Sequence, residues 1–243
     1  MIPSGIAEIY EILLDAYGTQ GWWPLYALRG TEGRDDRGYS KKPVKSTKFS
    51  LSEKLSPLSR FEIAAGAVLT QNTAWTNVEK SLDRLVWSGL LDPEKIRDSS
   101  PEMLAETIRS SGYYNQKVRK LKILASFLMD GDYLKGEQSP RRDDLLGLWG
   151  IGKETADSIL LYAFDVPLFV VDAYTKRIFK RLGLLTGTED YDEIALLFTD
   201  SLNRNAKVYQ EYHALIVKHA KEHCRKQALC KGCVLRKYCL AAP

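Results

Sequence analysis

The chain lacks the patterns that mark membrane, secreted and sheet-built proteins. Its longest apolar stretch, Ser158 to Val171, is broken by Asp165 and Pro167, too interrupted to span a bilayer. The start, Met1-Ile2-Pro3-Ser4-Gly5, has no basic residues ahead of an apolar run, so no signal peptide and a cytoplasmic location are expected. No segment alternates apolar and polar residues between hairpin-type turns, which argues against a β fold. Tandem repeats and low-complexity tracts are absent. Cysteine does not occur before position 224, and histidine occurs three times.

What is present is helical. The 243 residues, 44% apolar and 27% charged, suffice for one large domain or two small ones. Apolar residues recur at helical spacing in Ile6–Tyr17, where Ile6, Ile9, Tyr10, Leu13 and Leu14 share a face. The same spacing returns in Phe61–Leu69, Val78–Val86, Leu104–Ile108, Val118–Leu128 and Leu145–Leu148, and again in Thr155–Phe164, Tyr174–Leu182, Tyr191–Leu202 and Tyr209–Ala220. An all-α fold is therefore expected. Thr31 to Pro57, polar and rich in Gly, Ser and charge, reads as a long, partly mobile connection.

The net charge of +4 is too small to name a partner by itself. Its distribution says more. Lys218, Lys221, Arg225, Lys226, Lys231, Arg236 and Lys237 face one acid, Glu222, and a second cluster holds Lys176, Arg177, Lys180 and Arg181. Solvated helix faces explain both, unless other residues point to a polyanion.

Such residues lie at Leu148-Trp149-Gly150-Ile151-Gly152-Lys153-Glu154-Thr155-Ala156, between two helical segments. Gly150 and Gly152 allow a tight turn and a close approach. The N–H groups of the helix that follows would seat a phosphate, with Lys153 adding charge. Such a seat grips nucleic-acid backbone without reading sequence. A plain helix–helix turn is the alternative, but the combination with Lys153, Thr155 and Ala156 favours binding.

Asp172 ends the apolar run Val166–Val171 and precedes the helix of Tyr174, Ile178, Phe179 and Leu182. It can cap that helix. It also stands eighteen residues after Glu154, with the hairpin helix filling most of the gap. A carboxylate near a phosphate seat suits cleavage of an N-glycosidic bond, because the transition state is oxocarbenium-like and an anion stabilises it. The same group can orient or deprotonate the attacking water.

Four cysteines, Cys224, Cys230, Cys233 and Cys239, fall in the last twenty residues with spacing C-x5-C-x2-C-x5-C. So dense a set reads as a metal site rather than as disulfides, and spacing alone leaves zinc and [4Fe-4S] both open. His213, His219 and His223 share a helix face but join no carboxylate pattern, and read as structural or DNA-contacting residues.

The hairpin, Val170-Val171-Asp172 and the cysteine array together resemble the endonuclease III (helix-hairpin-helix) superfamily of DNA glycosylases, from about Leu58 to Cys239. The resemblance implies a six-helix barrel over 58–166 carrying the hairpin motif at 141–164. It also implies a second helical domain from 1–57 and 167–243 with an iron–sulfur loop at 224–239, and DNA bound at the cleft between. Asp172 matches the catalytic aspartate. The family carries a near-identical cysteine array, which favours [4Fe-4S], although the first gap is one residue shorter here. That loop would hold Arg225, Lys226, Lys231 and Arg236 toward phosphate. The implied partner is duplex DNA with a damaged base, met by a monomer at the nucleoid, with no membrane.

One departure decides the chemistry. Bifunctional relatives place a Schiff-base lysine where this chain has Glu154, and a carboxylate cannot form a Schiff base. Lys153 lies about 100° away around the helix. A monofunctional glycosylase without lyase activity is expected. Gly150–Tyr162, Ala67–Thr73, Gly112–Lys117 and Gly21-Trp22-Trp23-Pro24 are similar to the 3-methyladenine DNA glycosylases of this fold, which implies an alkylated purine. Such bases are often cationic, leave readily, and suit aromatic faces. The resemblance makes Gln71 the wedge that fills the space of a flipped base and Tyr113 the second intercalating residue. It offers Trp22, Trp23, Pro24, Trp75 and Glu154 as the base pocket, and each tryptophan could equally be core. Competing readings are a glycosylase for hypoxanthine, uracil or a mismatched base, a bifunctional lyase, and a non-catalytic Fe–S DNA-binding protein.

Overall fold

The computed structural model of the protein describes residues 5–31, 35–39 and 55–243, so most of the connection expected at Thr31–Pro57 (32–34 and 40–54) lies outside the described residues. Among the described residues the secondary structure is helical, with no strand. In chain order the α-helices are α1 (Ile6–Tyr17), α2 (Pro57–Leu69), α3 (Trp75–Trp87), α4 (Pro93–Asp98), α5 (Pro101–Thr107) and α6 (Tyr114–Asp130). They continue with α7 (Arg142–Leu146), α8 (Lys153–Phe164), α9 (Ala173–Leu182), α10 (Tyr191–Ser201) and α11 (Ala206–Glu222). The all-α expectation holds.

Short sequence signals set the helix starts. Ser56, Asp92 and Ser100 each accept an N–H from three residues on, at 3.0, 3.1 and 3.2 Å, and a proline follows each at the first helical position. The cap satisfies an orphan donor where proline has none to offer. At α10 the cap is reciprocal: Asp190 accepts from Glu193 N–H at 2.9 Å, and Glu193 accepts from Asp190 N–H at 2.7 Å.

The described residues fall into two compact units. The first, here the hairpin unit, holds 23–31, 35–39 and 55–166. Its central helix is α2, buried on almost every side from Phe61 to Leu69 because Ala64, Ala65, Gly66 and Ala67 let α6 and α8 come close. A Cβ at Gly66 would stand 3.0 Å from the Trp23 ring. The fully buried Glu62 accepts the backbone N–H groups of Tyr26 and Ala27, and the Tyr26 hydroxyl donates to Glu79 at 2.7 Å. Leu25 N–H donates to the Gly38 carbonyl at 3.0 Å. These bonds tie 23–39 to the hairpin unit, whereas the sequence boundary grouped all of 1–57 with the carboxyl-terminal residues. Buried polar groups need such partners, and Glu62 finds two of them in that segment's backbone.

Lys117 of α6 is buried too. Its ammonium donates to the Leu69 and Ser111 carbonyls at 2.8 and 2.7 Å, at the partly negative end of α2. Burial pulls its pKa down to about 8.

The second unit, the end unit, holds 5–22 and 167–243. Its core is aromatic. Phe169 stacks on Phe198 with centroids 3.9 Å apart, and Phe179 and Tyr212 meet Phe198 at 4.7 and 5.6 Å. Burying each such ring contributes about 1.5–3 kcal/mol. The Tyr212 hydroxyl donates to the Ile6 carbonyl at 2.7 Å, which fastens α1 to α11 across the length of the sequence.

Candidate active site

In the hairpin unit, α7 and α8 are joined by 147–152. Gly150 has φ of 81°, a backbone state that disfavours a side chain, and a Cβ there would collide with the Lys120 side chain. Ile151 turns inward and is buried, while Gly152 is exposed, with open space where a Cβ would sit. Gly152 is also the N-cap of α8 and brings no side-chain cap of its own, and with no Cβ it lets an external group approach the helix start closely. Arg142 braces the hairpin from below. It pairs with the buried Asp157 through two bonds of 2.6 and 3.0 Å, a bidentate link the sequence reading missed. Trp149 stands exposed at the tip, with the Arg119 guanidinium 4.1 Å from its ring centroid.

Gln71 follows α2 and turns its side chain onto this hairpin. Its amide donates to the Gly150 carbonyl at 3.1 Å and to the Thr155 hydroxyl at 2.9 Å, and its oxygen accepts from Lys120 at 2.5 Å. Thr155 is thereby buried against the residue expected to act as wedge, and not presented to solvent. Tyr113 is 66% exposed, with φ of 47°, at the start of α6. Lys153 is half-buried and Glu154 exposed in the first turn of α8.

The aromatic candidates separate. Trp23 is buried with Pro24 and meets Trp75 edge-on at 5.3 Å and Tyr162 at 5.1 Å, so Trp23 is core to the hairpin unit. Trp75, at the start of α3, is half-buried, as is Trp22 in the end unit. The loop before Trp22 is held by Glu211 of α11, which accepts the Gln20 N–H at 2.6 Å and a backbone bond from Gly21. Burial pushes the Glu211 pKa up to about 7 against those two bonds.

Asp172 lies in the end unit at the N-cap of α9 and is buried. The two readings of this residue divide between its two carboxylate oxygens. Oδ1 accepts the Thr175 N–H at 2.7 Å and the Thr175 hydroxyl at 2.9 Å, so the cap is real. Oδ2 faces His213 of α11, whose Nε2 is 3.6 Å away. Burial would raise the pKa of Asp172, but the His213 imidazole and the Thr175 donors outweigh it and hold the group below the usual carboxylate range. His213 is the residue that sequence reading missed: its partner is distant in the chain, and helix spacing shows only neighbours on one helix.

The four cysteines are half-buried in the end unit and line one pocket, with Ile178, Leu182 and Leu235 as its apolar wall. Burial, together with the other three thiols, raises the pKa of Cys233. Arg181 of α9 donates to the Cys224 sulfur at 3.2 Å and to the Arg225 and Lys226 carbonyls at 2.7 and 2.8 Å, and Arg177 donates to the Cys224 carbonyl at 2.9 Å. Two members of the second basic cluster thus clamp this loop and are not a solvated face. Arg225, Lys226, Lys231 and Arg236 are exposed on it. Among the described residues no three His, Cys, Asp or Glu side chains close into a metal-holding arrangement, although the donor set of four soft sulfurs in one pocket is suited to iron–sulfur ligation.

Comparison with known proteins agrees with this architecture. A candidate DNA repair glycosylase of Methanocaldococcus jannaschii is 41% identical over 97% of this chain and 96% of its own. The crystal structure of H. pylori 3-methyladenine DNA glycosylase (MagIII) bound to 1,N6-ethenoadenine is 35% identical, with a TM-score of 0.60 over 67% of this chain and 85% of that one. A non-covalent endonuclease III–DNA complex is 26% identical, with a TM-score of 0.65 over 77% and 84% of the two chains. Residues 65–204, from the middle of α2 past α10, match the HhH-GPD superfamily of base excision DNA repair proteins. With a family model matching more than half of the chain and a relative that spans nearly all of it, the protein belongs to the HhH-GPD superfamily of base excision DNA repair proteins.

Proposed function

We propose that the protein is a monofunctional DNA glycosylase that hydrolyses the N-glycosidic bond of an alkylated purine in duplex DNA, leaving an abasic site. The observation that carries this reading is Asp172, a buried carboxylate held in its charged form by Thr175 and His213. A buried anion stabilises positive charge growing on deoxyribose as the base departs, and it can take a proton from the attacking water. A residue that served only as a helix cap would need no second partner on its other oxygen.

Three observations support the finer points. Glu154 occupies the position of the lyase nucleophile and cannot form a Schiff base. The similar H. pylori enzyme is a 3-methyladenine DNA glycosylase bound to an etheno-adenine, which favours a modified purine as substrate. The open hairpin at Gly150–Gly152, with Lys153 beside it, suits a DNA phosphate. In this reading Trp75 offers an aromatic face to the base, while Gln71 and Tyr113 fill the space it leaves.

The cysteines Cys224, Cys230, Cys233 and Cys239 are assigned to a [4Fe-4S] cluster. When bound, the cluster supplies a rigid cross-link for the loop. Arg181 and Arg177 hold that loop to α9, so Arg225, Lys226, Lys231 and Arg236 keep a fixed spacing for phosphate contacts.

A panel of duplexes, each with one lesion, tests the assignment with wild type and Asp172→Asn. Excision of 3-methyladenine or ethenoadenine by wild type, lost in the variant while DNA binding persists, is the expected result. Preference for uracil, hypoxanthine or a mismatch would move the substrate class, and equal excision by Asp172→Asn would remove Asp172 from the chemistry.

A further inference from the structure

The Asp172 carboxylate has two oxygens with different surroundings. Oδ1 is spent on the start of α9, where it takes both donors of Thr175. Only Oδ2 is left for a sugar or a water, and its orientation follows from rotation about the last side-chain bond. The Thr175 bonds pin one end of that rotation. The other end meets the ring of His213, 3.6 Å away, on a helix that packs along α9 within the same unit. Both side chains are 12% exposed, so bulk water does little to screen the pair. At 3.6 Å the contact is longer than a hydrogen bond.

We propose that His213 is a positioning residue for the excision step: it fixes the oxygen of Asp172 that the helix cap leaves over. The inference rests on the reading of Asp172 as the excising carboxylate and extends it to a second residue. The ring serves the site by holding the carboxylate in one rotamer and touches no substrate itself. Its helix is well placed for this. The preceding residue, Tyr212, is locked by its bond to Ile6, and Tyr209 and Leu215 are buried, so the α11 backbone beneath His213 has little freedom. A misplacement of a reacting group by about 1 Å is worth on the order of 10²-fold in rate.

The test compares wild type, His213→Ala, His213→Gln, Asp172→Asn and the double variant Asp172→Asn/His213→Ala. Three readouts are taken: the single-turnover excision rate on the lesion that wild type removes, affinity for abasic-site DNA, and the thermal midpoint. His213→Ala is expected to lose on the order of 10²-fold in rate with affinity and midpoint kept. His213→Gln, whose amide can donate to the same oxygen, restores most of the rate. In the Asp172→Asn background, His213→Ala costs nothing further, because the two residues act as one. A wild-type rate in His213→Ala, equal losses in both backgrounds, or a loss in both His213 variants that tracks a fall in midpoint would overturn the proposal. A nitrogen NMR spectrum of the three imidazoles separates this question from the glycosylase reading. Asp172→Asn should move the His213 ring signals and spare His223, whether or not any lesion is excised, and unmoved His213 signals would also overturn the pairing.

Discussion

The side-chain amide of Gln71 donates to the Thr155 hydroxyl at 2.9 Å, which joins the turn after α2 to the first turn of α8. With the bonds to the Gly150 carbonyl and from Lys120, the residue assigned as wedge is docked on the hairpin. On the proposed wedge role, insertion into a duplex would exchange these three bonds for contacts with bases. The Gln71→Ala variant should therefore bind undamaged duplex as wild type does, since the phosphate seat remains, but keep a base flipped less well. Opening a base costs a few kcal/mol, so a loss of about 10-fold or more in single-turnover excision is expected. A fluorescent base analogue beside the lesion reports the flipping, and an unchanged signal in the variant would show that Gln71 has no part in it.

Glu154 predicts the outcome of a trapping experiment. With no amine at that position, incubation of the protein with lesion DNA and borohydride should leave no covalent adduct, and the product strand should break only after alkali. Efficient trapping would mean that another lysine reaches the sugar and that the enzyme is bifunctional.

Glu211 gives stability a pH dependence. Its pKa is about 7 in the folded chain against 4.5 as a free group, with burial as the largest cause. Between those values the folded state holds a proton that the unfolded state has lost, so stability falls as pH rises from about 4.5 to 7 and levels off above. The shift corresponds to about 3 kcal/mol. Glu211→Gln keeps an acceptor for the Gln20 N–H and removes the titration. Denaturant midpoints of the two proteins at pH 5 and pH 8 measure this. The wild type should lose stability relative to the variant at the higher pH, and parallel profiles would contradict it.

The cysteine loop makes a prediction about metal content. Protein purified without oxygen should carry iron and sulfide in equal amounts and show the broad visible absorbance of iron–sulfur charge transfer. Cys233→Ser should lower both together with the thermal midpoint, since metal binding and local folding are coupled in such loops. Stoichiometric zinc with no visible absorbance would replace the cluster assignment.

Local chemistry made much of this molecule legible from the residues alone. The helices at Ile6–Tyr17, Val118–Leu128 and Thr155–Phe164 follow from apolar residues at helical spacing, whereas the starts capped by Ser56 and Asp92 were not read from the sequence. The hairpin follows from two glycines in a short apolar frame, and the catalytic candidate from one carboxylate at a helix boundary. Each of these depends on residues a few positions apart, so chain order carries the signal. The pairs His213 with Asp172, Glu62 with the backbone at 26 and 27, Arg142 with Asp157, Arg181 with the cysteine loop and Gln71 with Thr155 depend on which helices pack together. Buried polar atoms must find partners wherever packing brings them, often far along the chain. Packing also buries Trp23, which the composition of its motif left open between pocket and core: the ring lies over Gly66, a place that exists only once α2 is buried.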